Sequence, residues 1–165
     1  MKRSFAVTTI DLSVAEKRLN ELDIHLPDPP TPFGAYVTAV QTGNLLFLSG
    51  TLATSGHSAT ITGVLGMDLD VAAGRKAAQT AALNAIALAK KHLGSLNRVS
   101  RVVRLGVYIA ATPQFAEHVK VADGASELFR DLFGEQTLSS RLVIGVASLP
   151  LGSPVELEVI LEVSR

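Results

Sequence analysis

Near the end of the chain, Val155, Leu157, Val159, Leu161 and Val163 alternate with Glu156, Glu158, Ile160 and Glu162. A period of two predicts a strand with one oily face and one mostly acidic face. The segment before it, Arg141 to Leu149, has Leu142, Ile144 and Val146 on one side and Val143, Ala147 and Leu149 on the other. A strand apolar on both faces must be covered on both. The chain's own helices supply one cover, and further copies of the chain are an economical source of the other.

Earlier segments predict the remaining elements. Ser13 and Glu16 spell a capping box, and Ala15, Leu19 and Leu22 follow at helical spacing. The run LPDPPTPFG, Leu26 to Gly34, holds four prolines and reads as an extended strap. Tyr36 to Val40 and Asn44 to Gly50, separated by Thr42-Gly43, predict a hairpin. Residues 51–68 are rich in Gly, Ser and Thr and read as a loop. Asp70 caps a long alanine-rich helix to about Leu93, with Ala78, Ala82, Ala85, Ile86 and Ala89 on one side and Gly94 as its stop. Residues 98–110 alternate again, Val99, Val103, Leu105, Val107 and Ile109 against Arg98, Ser100, Arg104 and Tyr108. A second long helix is expected from about Ala116 to Phe133, its apolar stripe running through Ala125, Leu128, Phe129, Leu132 and Phe133.

The order ββαβαββ predicts an α+β fold, a mixed sheet with both long helices on one face, and residues 1–165 as one domain. Residues 1–30 would be an appended helix and strap, with residues 31–165 as the core. At 165 residues and 47% hydrophobic, the chain can bury a sizeable core. Fifteen basic side chains balance fifteen acidic ones, which argues against broad capture of nucleic acid or of an anionic membrane. The absence of cysteine excludes thiol catalysis and disulfides. No apolar run approaches a membrane span or a signal peptide, so a soluble, cytoplasmic protein is expected.

Arg141 and Glu156 are the sharpest candidates for chemistry. Arginine offers a planar fork that fits a carboxylate. A glutamate between Val155 and Leu157 can have its pKa raised and serve as a general base. On spacing alone a structural ion pair is the commoner outcome. Were the two last strands a tight hairpin, Arg141 would face Glu162 and lie about 20 Å from Glu156. Cooperation therefore requires another strand arrangement or a second subunit. The four histidines, His25, His57, His92 and His118, lack metal-ligand spacing, so no metal is expected. Gly63 to Gly66 is too short for a dinucleotide loop, and no cofactor is implied. Tyr36 reads as a core residue whose hydroxyl can reach a cleft. Arg98, Arg101 and Arg104 read as a solvated strand edge.

Four pieces together resemble the RidA/YjgF family, also called endoribonuclease L-PSP or chorismate-mutase-like: Gly34-Ala-Tyr36, Leu48-Ser49-Gly50, Ala82-Leu-Asn84 and SRLVIGVASLPLGSPVELEVI. The resemblance covers roughly residues 30–163 and is nearest a longer branch of the family. It implies a chorismate-mutase-like homotrimer, with sheets meeting in a central barrel and small-molecule clefts between subunits. It also implies that Arg141 grips the carboxylate of a 2-imino acid and that Glu156 orients the water that hydrolyses it to a 2-oxo acid and ammonia. Tyr36, Ser49 and Gly50 would line the same cleft, as would Val143, which stands where deaminase members often carry Cys. Ala35 and Asp123 stand where the longer branch commonly carries Asn. The partners implied are a small carboxylate ligand and two further copies, with no nucleic acid or membrane. A non-catalytic ligand-sensing or chaperone-like trimer is the alternative, and a ribonuclease the third reading.

Overall fold

The structure is a computed structural model, described here for residues 14–164. Ser13, the expected cap of the first helix, lies outside the described residues. The elements are α1 (Ala15–Glu21), β1 (Ala39–Thr42), β2 (Leu45–Leu52), a two-residue ribbon of β3 (Thr54–Ser55) and β4 (Ser58–Ala59), α2 (Val71–Leu93), β5 (Val99–Ala110), α3 (His118–Phe133), β6 (Ser140–Val146) and β7 (Val155–Val163). The expected α+β order is present, with the small ribbon added inside the segment read as loop.

The alternating strand β7 occupies the middle of the sheet, whose order is β1-β2-β7-β5-β6. It pairs antiparallel with β2 on one side and with β5 on the other. β6 pairs parallel with β5 at the sheet's edge. β6 and β7 are thus neighbours in sequence but not in space. The sequence extended β6 to Leu149, but it stops at Val146. Leu149 instead leads into a 3-10 turn, Pro150–Gly152, in which Leu151 has a positive φ of 58° and Pro150 cannot donate to a ladder. The hairpin likewise starts at Ala39, not Tyr36.

The apolar side of β7 is fully buried, with Val155 and Leu157 at 0% exposure. Leu105, Val107 and Ile109 of β5 join it on the same face. Val102, rather than Val103, continues that row, because register shifts at Val99/Arg101 and Val102/Arg104 break the simple alternation. α2 packs across β2 and β7, α3 across β5 and β6, and α1 against α3.

Local sequence explains the helices. The Asp70 carboxylate accepts from the Ala73 N–H at 2.8 Å, a cap that contributes about 1 kcal/mol. Gly94 takes the left-handed conformation, φ 78°, that closes α2. Buried alanines at 77, 78, 81, 82 and 85 let α2 lie close to the sheet. Gly124 lets α3 approach the α2 backbone, since a Cβ there would sit 3.0 Å from both C and Cα of Arg75.

The opposite face of the sheet carries no helix. Register places Val40, Phe47, Ile160, Leu142 and Ile144 on it. Phe47 is 38% exposed and Ile144 40%. Arg104, Tyr108 and Glu158 lie among them: Arg104 Nε meets Glu158 Oε2 at 3.3 Å, and the Tyr108 hydroxyl donates to the same oxygen at 3.4 Å. The arginines expected on a solvated edge are therefore on an inner strand and paired, Arg101 with Glu162 at 3.9 Å and Arg104 with Glu158. Arg98 instead donates to the carbonyls of Leu93 and Ser164. No helix among the described residues is long and apolar enough to cross a membrane.

Candidate functional site

The sequence-selected residues fall into two groups on opposite faces of the sheet. Glu156 projects from the β7 row that contains Glu158 and Ile160, on the face without helices. It lies opposite Leu52 on β2 and Tyr108 on β5. Between the pairs Leu48–Val159 and Thr51–Leu157 the ladder shifts, so that Ser49 and Gly50 form a bulge beside it. The Glu156 carboxyl occupies the space that a side chain at 50 would need, 3.0 Å from an ideal Cβ to Cδ, with Oε1 nearer still. Only glycine leaves room for that carboxyl. Burial pushes the Glu156 pKa above the ordinary glutamate value.

Ser49 and Tyr36 fix the segment that leads into β1. Ser49 Oγ donates to the Val37 carbonyl at 2.6 Å, and its N–H donates to the Thr38 carbonyl at 3.0 Å. The Tyr36 hydroxyl accepts from the Phe33 N–H at 3.0 Å and closes a turn over residues 33–36. Tyr36 is 45% exposed, in contrast to the core role its position predicts. Its hydroxyl shapes the segment whose next residue, Val37, receives the Ser49 hydroxyl.

Arg141 and Val143 lie elsewhere. They pair with Leu105 and Val107, so both face the helices, and Val143 packs against the core. Arg141 Nη1 donates to Asp123 Oδ1 at 2.7 Å and to Ser126 Oγ at 2.9 Å. Asp123 and Ser126 are one turn apart on α3 and form a single clamp. No sequence motif singles out Ser126. The i, i+3 spacing was the available signal, but it acquires meaning only once α3 is placed over β6.

Arg141 lies level with Leu105, Glu156 with Tyr108, and β5 separates their strands. Three residues along and two strands across put their Cα atoms about 14 Å apart. With opposite faces added, one chain does not bring the two together. Among the described residues, no group of three or more His, Asp or Glu is placed to hold a metal ion.

A five-stranded mixed sheet backed by two long helices, with a glutamate set against a glycine bulge, defines a chorismate-mutase-like α+β protein. The model of the family described as "YjgF/chorismate_mutase-like, putative endoribonuclease" matches residues 16–163. The chain belongs to this family. It is 39% identical over 148 residues to Protein TCP17 of Trypanosoma cruzi, covering 89% of this chain and 92% of that one. It is 30% identical over 136 residues to a 2-iminobutanoate/2-iminopropanoate deaminase of Dermatophagoides farinae, covering 82% and 91%. A solved structure of a protein of unknown function from Agrobacterium tumefaciens is 37% identical, with a TM-score of 0.84 over 93% of this chain and 94% of that one.

Proposed function

We propose that this chain works as a homotrimer whose intersubunit clefts bind small carboxylate metabolites and hydrolyse 2-imino acids to 2-oxo acids and ammonia. The observation that carries this is the placement of the two candidate groups. Arg141 and Glu156 are each held in a defined setting, yet they lie on opposite faces of one sheet. A second copy laid on the uncovered face is the direct way to complete a site. The half-exposed Phe47 and Ile144 on that face, and the edge strand β6 without lysine or proline, favour such a copy. The related deaminase supplies the reaction class.

In this reading Arg141 holds the substrate carboxylate with its charged fork. Glu156 accepts a proton from a water as the water oxygen bonds to C2 of the protonated imine. The proton then passes to nitrogen, the C–N bond breaks as the C2 hydroxyl returns its own proton to Glu156 and becomes the carbonyl, and ammonia leaves a 2-oxo acid. A carboxyl with a raised pKa suits both halves of this proton traffic. Metal and cofactor have no role in the scheme. The core formed by residues 31–165 carries both groups, and α1 with the strap is appended to it. A ribonuclease reading is disfavoured, because Arg101 and Arg104 are neutralised by Glu162 and Glu158.

Complementation tests the shared site. Arg141→Ala and Glu156→Gln should each be inactive toward an imine generated in situ by an amino-acid oxidase. After mixing through a denaturation and refolding cycle, about a quarter of wild-type ammonia release should return, since random assembly gives one site in four both intact groups. No recovery in mixed trimers would show that the groups do not meet across copies. Light scattering that returned a monomer at micromolar concentration would remove the assembly itself. If wild type binds 2-oxo acids without turnover, the ligand-sensing trimer takes its place.

A further inference from the structure

The setting of Arg141 points to the charge of its ligand. The guanidinium is pinned on one nitrogen: Nη1 donates to Asp123 Oδ1 at 2.7 Å and to Ser126 Oγ at 2.9 Å. Nη1 has two hydrogens, and this clamp uses both. Among the described residues, the side-chain hydrogen bonds of Arg141 run from Nη1 alone, which leaves the Nε–Nη2 edge. That edge is the geometry that receives a carboxylate with two parallel hydrogen bonds. Arg141 is one of the residues lining a cleft of about 430 Å³, with Asp123, Ser126, Glu127, Arg130 and Glu135 supplying other polar groups.

The charges around this cleft are already sorted. Glu127 at its rim is paired with Arg75 at 2.5 Å, and Arg130 with Asp131 at 2.7 Å. The charged residues lining the cleft are Arg130 and Arg141 against Asp123, Glu127 and Glu135, an excess of one negative charge, with Asp123 directly on Arg141. A simple monoanion entering here meets its anchor and a competing carboxylate together. A ligand with a cationic nitrogen beside its carboxylate satisfies both partners.

We infer that Asp123 makes the Arg141 cleft selective for zwitterions, either an α-amino acid or the protonated form of a 2-imino acid, over 2-oxo acid monoanions. Asp123 is here a specificity-determining residue, fixed by the same ion pair that orients the Arg141 fork. The inference rests on the proposed role of Arg141 as carboxylate anchor. It adds a reason for product release, because hydrolysis converts the favoured zwitterion into the disfavoured monoanion. Two carboxylates about 6 Å apart, at an effective dielectric between those of protein and water, repel enough to weaken binding about tenfold.

Calorimetry with 2-aminobutanoate and 2-oxobutanoate, which differ at one substituent, tests this. Wild type should bind the amino acid about tenfold more tightly. Asp123→Asn retains the size and an acceptor for Arg141, and should bring the ratio close to one by tightening the oxo acid. Asp123→Ala should move the ratio in the same direction, with melting curves confirming that both variants are folded. Arg141→Lys should weaken both ligands and leave the ratio in place. A wild-type ratio near one, or equal effects of Asp123→Asn on both ligands, overturns the inference while the anchor stands. Unchanged affinities in Arg141→Lys remove the anchor and the inference with it. Failure of both ligands to bind at millimolar concentration also overturns it.

Discussion

Gly50→Ala separates the chemistry proposed for Glu156 from folding at a single methyl group. Gly50 has no positive φ, so alanine suits its backbone. The new Cβ would lie 3.0 Å from Glu156 Cδ and 3.4 Å from Cγ. Carbon atoms rest about 3.5–4.0 Å apart, so the Cδ contact alone requires a shift of roughly 0.5–1 Å, and the nearer oxygen requires more. The obstacle is the end of a flexible side chain, which can swing away at a cost of about 0.5–1.5 kcal/mol in rotamer strain. Loss of the glycine's unfolded-state entropy offsets about 0.4–1 kcal/mol of that. Net stability should therefore stay within about 1 kcal/mol of wild type. A displacement of about 1 Å at a reacting group can cost about a hundredfold in rate. Imine hydrolysis measured as ammonia release, beside a urea denaturation curve, reads both quantities. The expected result is a midpoint that corresponds to within about 1 kcal/mol of wild type, with kcat down about a hundredfold. Full activity in a folded Gly50→Ala protein would mean that the position of the Glu156 carboxyl does not govern the reaction.

Other expectations concern the frame and the pH dependence. Asn84 Nδ2 donates to the buried carbonyls of Leu52 and Thr54 at 2.8 and 3.0 Å. Asn84→Ala strands both acceptors and should cost about 2–4 kcal/mol by urea denaturation. Gly124→Ala drives a methyl into the Arg75 backbone, which cannot swing aside, and should cost about 1–3 kcal/mol by the same measure. Burial raises the Glu16 pKa, but hydrogen bonds from Lys90, the Leu96 N–H and Ser95, with the Lys90 charge, outweigh it and hold the group below its ordinary value. Its stabilisation is present above the unfolded-state pKa and is lost as pH falls through the folded one, so the gap between wild type and Glu16→Gln should close below about pH 4. Glu156 has the opposite sign: its raised pKa favours the fold at low pH, and the benefit is lost as pH rises through the folded value. Thermal melts should show Glu156→Gln more stable than wild type at neutral pH and level with it in acid.

Local signals were the most legible. Asp70, the alanine stripe and Gly94 specify α2 with little help from the rest of the chain, and its boundaries match the sequence reading. The strict alternation of β7 gave both its type and its buried face. Its place in the sheet was not legible, because pairing with β2 and β5 is decided by non-local packing. The same limit applied to the site. The residue types at 141 and 156 were readable, but the faces they occupy depend on the β5 register, and a single residue's slip would exchange them. Val102 displaced Val103 from the core for a related reason, since bulges reset the period of two. The alternation around Tyr36 predicts a strand, whereas its hydroxyl serves a turn.

β7 is the last of the sheet's strands in chain order, yet it stands between the β1–β2 hairpin and the β5–β6 pair. Until it is made, those two halves share no ladder. Without it the β1–β2 hairpin and the β5–β6 pair would each keep a raw hydrogen-bonding edge, and the final strand joins them like a zip fastener. Loss of those nine residues, Val155–Val163, would split the sheet instead of trimming it. A chain truncated before Val155 should consequently be degraded or aggregate, while the full 165-residue chain should resist protease. The glutamate proposed for chemistry enters with that closing strand, so no partly made chain carries both a finished sheet and an exposed Glu156.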